Sequence, residues 1–173
     1  MHPLEKFHFC PICSSYKFYY NNDMSKKCDE CGFVFYANPR AATVAVIINE
    51  RNEILVAKRA NDPAKGTLDL PGGFIDLNET AEEGVCREVL EETGITVNSV
   101  NYLFSIPNIY PYSGIIVDTM DLFFECKISE NIEMKAMDDV ESLLWMKVDE
   151  LNPEFFGLSS IKKGIRKIKD IYK

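Results

Sequence analysis

From Gly73 to Ile95 the chain reads GFIDLNETAEEGVCREVLEETGI. Residues 80–93 of this segment predict a helix, and Gly94 stands where a helix stops in the left-handed conformation. Laid out at 100° per residue with Glu88 at the origin, Glu91 falls at about −60° and Glu92 at about +40°. Val85, Cys86, Val89 and Leu90 form the adjoining apolar stripe. One side of the helix therefore packs, and the next concentrates negative charge. Carboxylates spaced i, i+3 and i+4 repel one another by a few tenths of a kcal/mol per pair. Arg87 is the helix's only basic residue. Divalent cations over that face remove the repulsion. Hard ions such as Mg2+ prefer oxygen ligands, and their bound waters can act as nucleophiles.

Immediately upstream stands Leu70-Pro71-Gly72-Gly73-Phe74-Ile75-Asp76. Its glycines allow close backbone approach to a ligand, beside the carboxylates. Around this centre the pattern alternates strands and helices. Thr43–Ile48 and Ile54–Ala57 predict buried strands, with a turn at Asn49–Asn52. A short strand is expected around Leu68–Leu70, and further strands near 97–105, 115–128 and Leu143–Val148. Ile161, Ile165, Ile168 and Tyr172 recur on one face of a C-terminal helix, with Gly164 inside the pattern.

The N-terminal part has a different character. Cys10-x2-Cys13 and Cys28-x2-Cys31 enclose an aromatic stretch suited to a hairpin, and Gly32 permits a tight turn after the second pair. This spacing suits a tetrahedral Zn2+ held by four thiolates. Residues 1–40 carry five basic and four acidic residues, against 14 and 23 in the rest, within a net charge of −8. No basic stripe accompanies the aromatics, so a structural zinc ribbon is expected and nucleic acid is not expected as a partner. No apolar run approaches ~18 residues, and the first residues lack a basic stretch followed by an apolar one, so neither a membrane partner nor a signal peptide is expected. Paired CxxC motifs without a secretory signal point to the cytoplasm. Cys86, on the apolar stripe without an activating base, is expected in the core. The sequence leaves a homodimer open.

Gly73, Glu79, Arg87, Glu88, Val89, Glu91, Glu92, Gly94 and Ile95 match the pattern G-x5-E-x7-R-E-U-x-E-E-x-G-U, where U is a bulky aliphatic residue. The chain thus resembles the Nudix hydrolases. The resemblance implies an α/β fold, an α/β/α sandwich with a mixed sheet over residues 38–173, preceded here by a zinc ribbon over 1–37. It also implies Mg2+- or Mn2+-dependent hydrolysis of a nucleoside diphosphate linked to another moiety. By position, Glu88 and Glu92 would be the main metal ligands, Glu91 a third ligand or a supporting partner, and the Gly73 carbonyl a further ligand. Arg87, with Glu79, would orient the glutamates. The general base would be Glu88 or one of the downstream acids Asp138, Asp139 and Glu141. Asp139, six residues before Trp145, occupies the position of a metal-binding glutamate in related enzymes.

A zinc ribbon directly before such a domain resembles the NADH pyrophosphatase branch. That branch carries S-Q-P-W-P-F-P-x-S ten residues after the box. Here the place is taken by Ser105-Ile106-Pro107-Asn108-Ile109-Tyr110-Pro111-Tyr112-Ser113. Ser105, Pro107, Pro111 and Ser113 match; Ile106, Asn108 and Ile109 depart. Tyr110, Tyr112 and Phe35 are candidates to stack on a substrate ring, or to pack the protein itself. The expected substrate is a small nucleotide such as NADH, NAD or ADP-ribose. The alternatives are nucleotide triphosphates, nucleotide sugars, or a silent sensor of ADP-ribose-like ligands.

Overall fold

A computed structural model describes residues 2–129 and 133–173. The chain divides into two compact units, Met1–Pro39 with Tyr110–Asp118, and Arg40–Ile109 with Thr119–Lys173.

The first unit is built on β1 (Phe18–Asn22), β2 (Ser25–Cys28) and β3 (Val34–Tyr36), an antiparallel sheet in that order. The two CxxC turns are copies of one another. The Cys10 N–H donates to the Ser15 carbonyl, and the Cys28 N–H to that of Phe33 (2.9 and 2.8 Å). Ser14 and Gly32 return N–H groups to the carbonyls of Cys10 and Cys28, both at 2.9 Å. Ser14 and Gly32 both take positive φ, 58° and 76°. Cys10, Phe18 and Cys28 form a small core with Phe33 and Phe35 against it.

The second unit holds β4 (Arg40–Val46), β5 (Glu53–Arg59), β6 (Leu68–Asp69), β9 (Val140–Lys147) and the main lengths of β7 (Val97–Tyr112) and β8 (Ile115–Ile128). Two three-stranded sheets run β4-β8-β7 and β6-β5-β9. The β4–β8 pair is parallel, whereas β5 pairs antiparallel with both neighbours, so the architecture is mixed. The sheets meet where Ile48 bridges Ile54 and the Leu55 N–H donates to the Ile47 carbonyl at 2.9 Å.

Alternation along β4 separates two cores. Val44 and Val46 face the cluster containing Ile161, Ile165 and Ile168 of helix α2 (Ser159–Ile171). Ala45 and the following Ile47 face the cluster containing Val85 and Val89 of helix α1 (Ala81–Thr93). β5 repeats the division, with Ile54 and Val56 on the α2 side and Leu55 on the α1 side. Strand alternation thus places a helix on each face, which is the α/β/α layering. Each buried aliphatic side chain stabilises this arrangement by ~1.5–3 kcal/mol.

Gly164 is buried in α2, and a Cβ there would lie 2.4 Å from the Phe123 ring. The glycine that interrupts the helical pattern is therefore the point of closest approach to the sheet. Two sequence expectations are corrected here. Leu90 is 48% exposed and does not extend the apolar stripe of α1. The strand expected near 97–105 continues through Pro107 and Pro111 to Tyr112. β7 is the outer strand of its sheet, where a missing backbone N–H can face away from the ladder. Among the described residues, no helix is long and apolar enough to cross a membrane.

Candidate active site and zinc centre

Thr80 starts α1: its side chain accepts from the Glu83 N–H, and Glu83 reaches back to the Thr80 backbone, a capping box. Gly94, at φ 72°, ends the helix with its N–H on the Leu90 carbonyl. These two ends fix which residues of α1 face Pro71–Ile75. That segment lies against β4: the Ala45 N–H donates to Pro71 O at 2.7 Å, Thr43 N–H to Gly73 O at 2.8 Å, and Ile75 N–H to Ala41 O at 3.2 Å. The approach is so close that a Cβ on Gly72, at φ 148°, would sit 2.1 Å from Thr43 O. A Cβ on Gly73 would sit 2.6 Å from the Glu88 carboxylate. The glycines therefore make room for β4 on one side and for Glu88 on the other.

Arg87 organises this junction. Its Nε and Nη2 donate to the two carboxylate oxygens of Glu79 at 2.8 and 2.9 Å. Nη1 donates to Glu88 at 2.9 Å and to Glu91 at 3.0 Å, and Nη2 also donates to the Phe74 carbonyl at 3.0 Å. A guanidinium has five N–H donors, and all five are engaged. Glu79 also accepts from the Asp76 N–H, and the Arg87 contact holds its carboxyl down at about 2.

Glu92 lies inward of this clamp. It is buried, and it accepts the Gly72 N–H at 2.9 Å. Burial pushes its carboxyl up to about 8, against the Gly72 N–H and assisted by the nearby charges of Asp69, Glu88 and Asp138. Glu88 is raised for the same first reason, with Arg87 opposing. Asp69 is itself buried and bonded to Arg59 Nη1 at 2.6 Å. Among the described residues no three carboxylates close to within 4.8 Å of one another. Arg87 holds Glu88 and Glu91 toward itself, whereas Gly72 holds Glu92. The donor set is nonetheless one of hard oxygens, crowded, partly buried and short of positive charge, and it fits a hard divalent cation.

The remaining sequence candidates are placed differently. Asp139 receives the Asn61 amide at 2.6 Å, and Glu141 pairs with Lys58 at 2.8 Å. Asp138, at φ 49°, is the downstream acid whose charge reaches Glu88 and Glu92. Phe35 packs edge-on against Phe7 in the cysteine-bearing unit, with ring centroids 6.0 Å apart. Tyr110 and Tyr112 lie at the end of β7 in that same unit, Tyr112 exposed and Tyr110 half-buried. Cys86 packs on the α1-side core without being fully buried. Asp69 was absent from the sequence reading; its signal was a lone acid between Leu68 and Leu70, apolar neighbours on both sides.

Asn108 and Ile106 are buried. The Asn108 amide donates to Asp121 at 3.1 Å, and its carbonyl accepts the Ser159 hydroxyl at 2.9 Å. Thr119 and Ser160 also donate to Asp121. These residues tie β7 and β8 to the start of α2.

In the other unit, Cys10, Cys13, Cys28 and Cys31 place their sulfurs within 4.8 Å of one another. Cys10–Cys31 and Cys13–Cys28 are each 3.6 Å apart. A tetrahedron with Zn–S bonds of ~2.3 Å has edges of ~3.8 Å, so the cluster has the size of a zinc site. Burial opposes ionisation of Cys10, but the backbone N–H groups of Cys13 and Ile12 and the neighbouring thiols bring it down to about 7. The backbone N–H of Ser15 favours the Cys13 thiolate, yet the surrounding sulfurs and burial push it up to about 12.

Residues 38–167 match the family model described as the NUDIX domain. The chain belongs to the Nudix family. It is 36% identical over 146 residues to an ADP-ribose pyrophosphatase of Methanocaldococcus jannaschii, a span covering 83% of this chain and 77% of that one. It is 35% identical over 113 residues to the NAD-capped RNA hydrolase NudC of Vibrio parahaemolyticus, covering 65% of this chain but only 42% of the relative. Among solved structures, a NUDIX hydrolase from Nitrosomonas europaea superposes with a TM-score of 0.70 at 22% identity, covering 94% of this chain and 90% of that one. At that identity the likeness speaks for the Nudix fold alone.

Proposed function

We propose that this Nudix chain hydrolyses the diphosphate bond of a nucleoside diphosphate derivative, with ADP-ribose the substrate best supported. The observation that carries the reading is the joint placement of Glu88, Glu91 and Glu92 by Arg87 and Gly72. Four-fifths coverage of the chain by a relative named ADP-ribose pyrophosphatase favours that substrate over nucleotide triphosphates and nucleotide sugars. The NudC relatives make NADH, NAD and NAD-capped RNA the second group to test.

Glu88 and Glu92 would hold Mg2+ or Mn2+, with the Gly73 carbonyl and Asp138 adjoining; Asp139, engaged by Asn61, is the more distant candidate. Gly73 O already accepts one N–H, and a carbonyl has a second lone pair. When bound, the ion supplies positive charge for phosphate oxygens and lowers the pKa of a bound water. The chain's own contribution is orientation. Arg87 fixes one oxygen each of Glu88 and Glu91 and leaves the other available. Glu88, beside Gly73, would take a proton from attacking water. Cys10, Cys13, Cys28 and Cys31 would hold structural Zn2+.

Product analysis by liquid chromatography with mass detection tests the reading, using ADP-ribose, NADH, NAD and nucleotide triphosphates with Mg2+. AMP and ribose 5-phosphate from ADP-ribose are expected. Failure to cleave any of these substrates would overturn the reading and favour a ligand sensor.

A further inference from the structure

We infer that Arg40, stacked on Phe74, is the cation that receives a phosphate oxygen of the substrate; this rests on the diphosphate reading above. A diphosphate arriving at this site meets Glu79, Glu88, Glu91 and Glu92, and the cation among them has no donor to spare, since Arg87 is fully committed to the chain's own oxygens. On the neighbouring strand β5, Arg59 is bonded to Asp69 and to the Pro63 carbonyl, and Lys58 to Glu141. Beyond the divalent ion, an anionic substrate would gain from a further positive group at the glycine segment.

Arg40 is at that place. It is the first residue of β4 and exposed, and its guanidinium lies 4.2 Å from the centroid of the Phe74 ring. Phe74 follows Gly73, whose missing Cβ the Glu88 carboxylate fills, and its carbonyl is held by Arg87. Among the described residues Arg40 has no carboxylate partner and no hydrogen-bond acceptor in the chain. In a protein of net charge −8 that is a notable omission. Contact with an aromatic face orients the guanidinium plane and leaves its N–H edge open. A planar fork held in this way matches two phosphate oxygens.

The test uses the full chain with Arg40→Ala, Arg40→Met and Arg40→Lys. Binding of ADP-ribose is measured by titration calorimetry on a Glu92→Gln background, which does not consume the ligand, and KM and kcat are measured without that change. Arg40→Ala and Arg40→Met are expected to weaken binding and raise KM by ~10- to 100-fold with a smaller change in kcat. Arg40→Lys recovers part of the affinity, keeping the charge but losing the fork. Inorganic pyrophosphate as a competitor should lose potency in parallel. If Arg40→Met binds like the wild type, the residue merely covers Phe74 and the inference is overturned. Wild-type protein that neither binds nor cleaves ADP-ribose would overturn the functional reading and the inference together; intact turnover with unchanged Arg40→Ala affinity overturns the inference alone.

Discussion

Arg87 grips both carboxylate oxygens of Glu79, at 2.8 and 2.9 Å, from eight residues further along the chain. The pair joins the loop before α1 to the second turn of the helix. Arg87→Lys keeps the charge but cannot reach five acceptors at once. It is expected to lower kcat by ~10-fold or more while the circular dichroism spectrum stays unchanged. Steady-state kinetics with Mg2+ titration checks this.

Glu79 also sets a pH dependence. Its folded-state pKa of about 2 lies below the ordinary glutamate value of 4.5, so its stabilising contribution is fully present above pH 4.5. That contribution is lost as pH falls from there through about 2. Glu79→Gln should flatten the acid side of the stability curve relative to wild type. Chemical denaturation at pH 3, 5 and 7 measures the difference, and equal slopes in the two proteins would contradict it.

Glu92→Gln should cut turnover by ~100-fold or more and leave the fold intact. The buried amide retains an acceptor for the Gly72 N–H and removes a carboxylate from a place crowded with others. Its melting temperature in chelator should therefore equal or exceed the wild-type value. Near-native turnover would remove Glu92 from the ion's ligands.

The four-cysteine unit and the α/β/α unit have separate cores, so they should fail separately. Cys28→Ser is expected to lose one equivalent of zinc by elemental analysis while the main thermal transition persists. Ser14→Gly should stabilise the first knuckle, because a left-handed φ costs a non-glycine residue ~1–2 kcal/mol. Slower zinc release to a chelator is the measurement.

Gly164→Ala drives a methyl group into Phe123 and should destabilise by ~1–3 kcal/mol. Phe123→Leu should relieve part of that cost when combined with it, giving a double-mutant coupling readable by urea unfolding.

Much of this was legible in the sequence, because local signals decided it. Gly94 marks the end of α1, the spacing of Val85 and Val89 marks its buried side, and the isoleucines of α2 mark theirs. The CxxC spacing marks a cluster of four sulfurs. Features set by three-dimensional neighbours were not legible. Leu90 lies on the stripe by angle, but among the described residues no element covers it. Asn108 reads as polar and surface-seeking until Asp121 and Ser159 meet it inside. Asp138 and Asp139 are adjacent in sequence, yet the charge of Asp138 reaches Glu88 and Glu92 while Asp139 accepts the Asn61 amide. Gly164 inside the helical pattern is ambiguous for a similar reason, since only the fold shows that the helix comes close to Phe123 there.

The Pro71–Ile75 segment is held to β4 chiefly by three main-chain hydrogen bonds. Peptide groups are the same whatever side chain they carry. The location of Gly73 beside Glu88 is thereby separated from residue identity at Leu70 and Ile75, which can change without displacing it. What cannot change is length. One residue inserted or removed between Leu70 and Ile75 would shift the ladder by a step and turn Glu88 and Glu92 toward the wrong peptide, so this stretch should tolerate substitution far better than insertion or deletion.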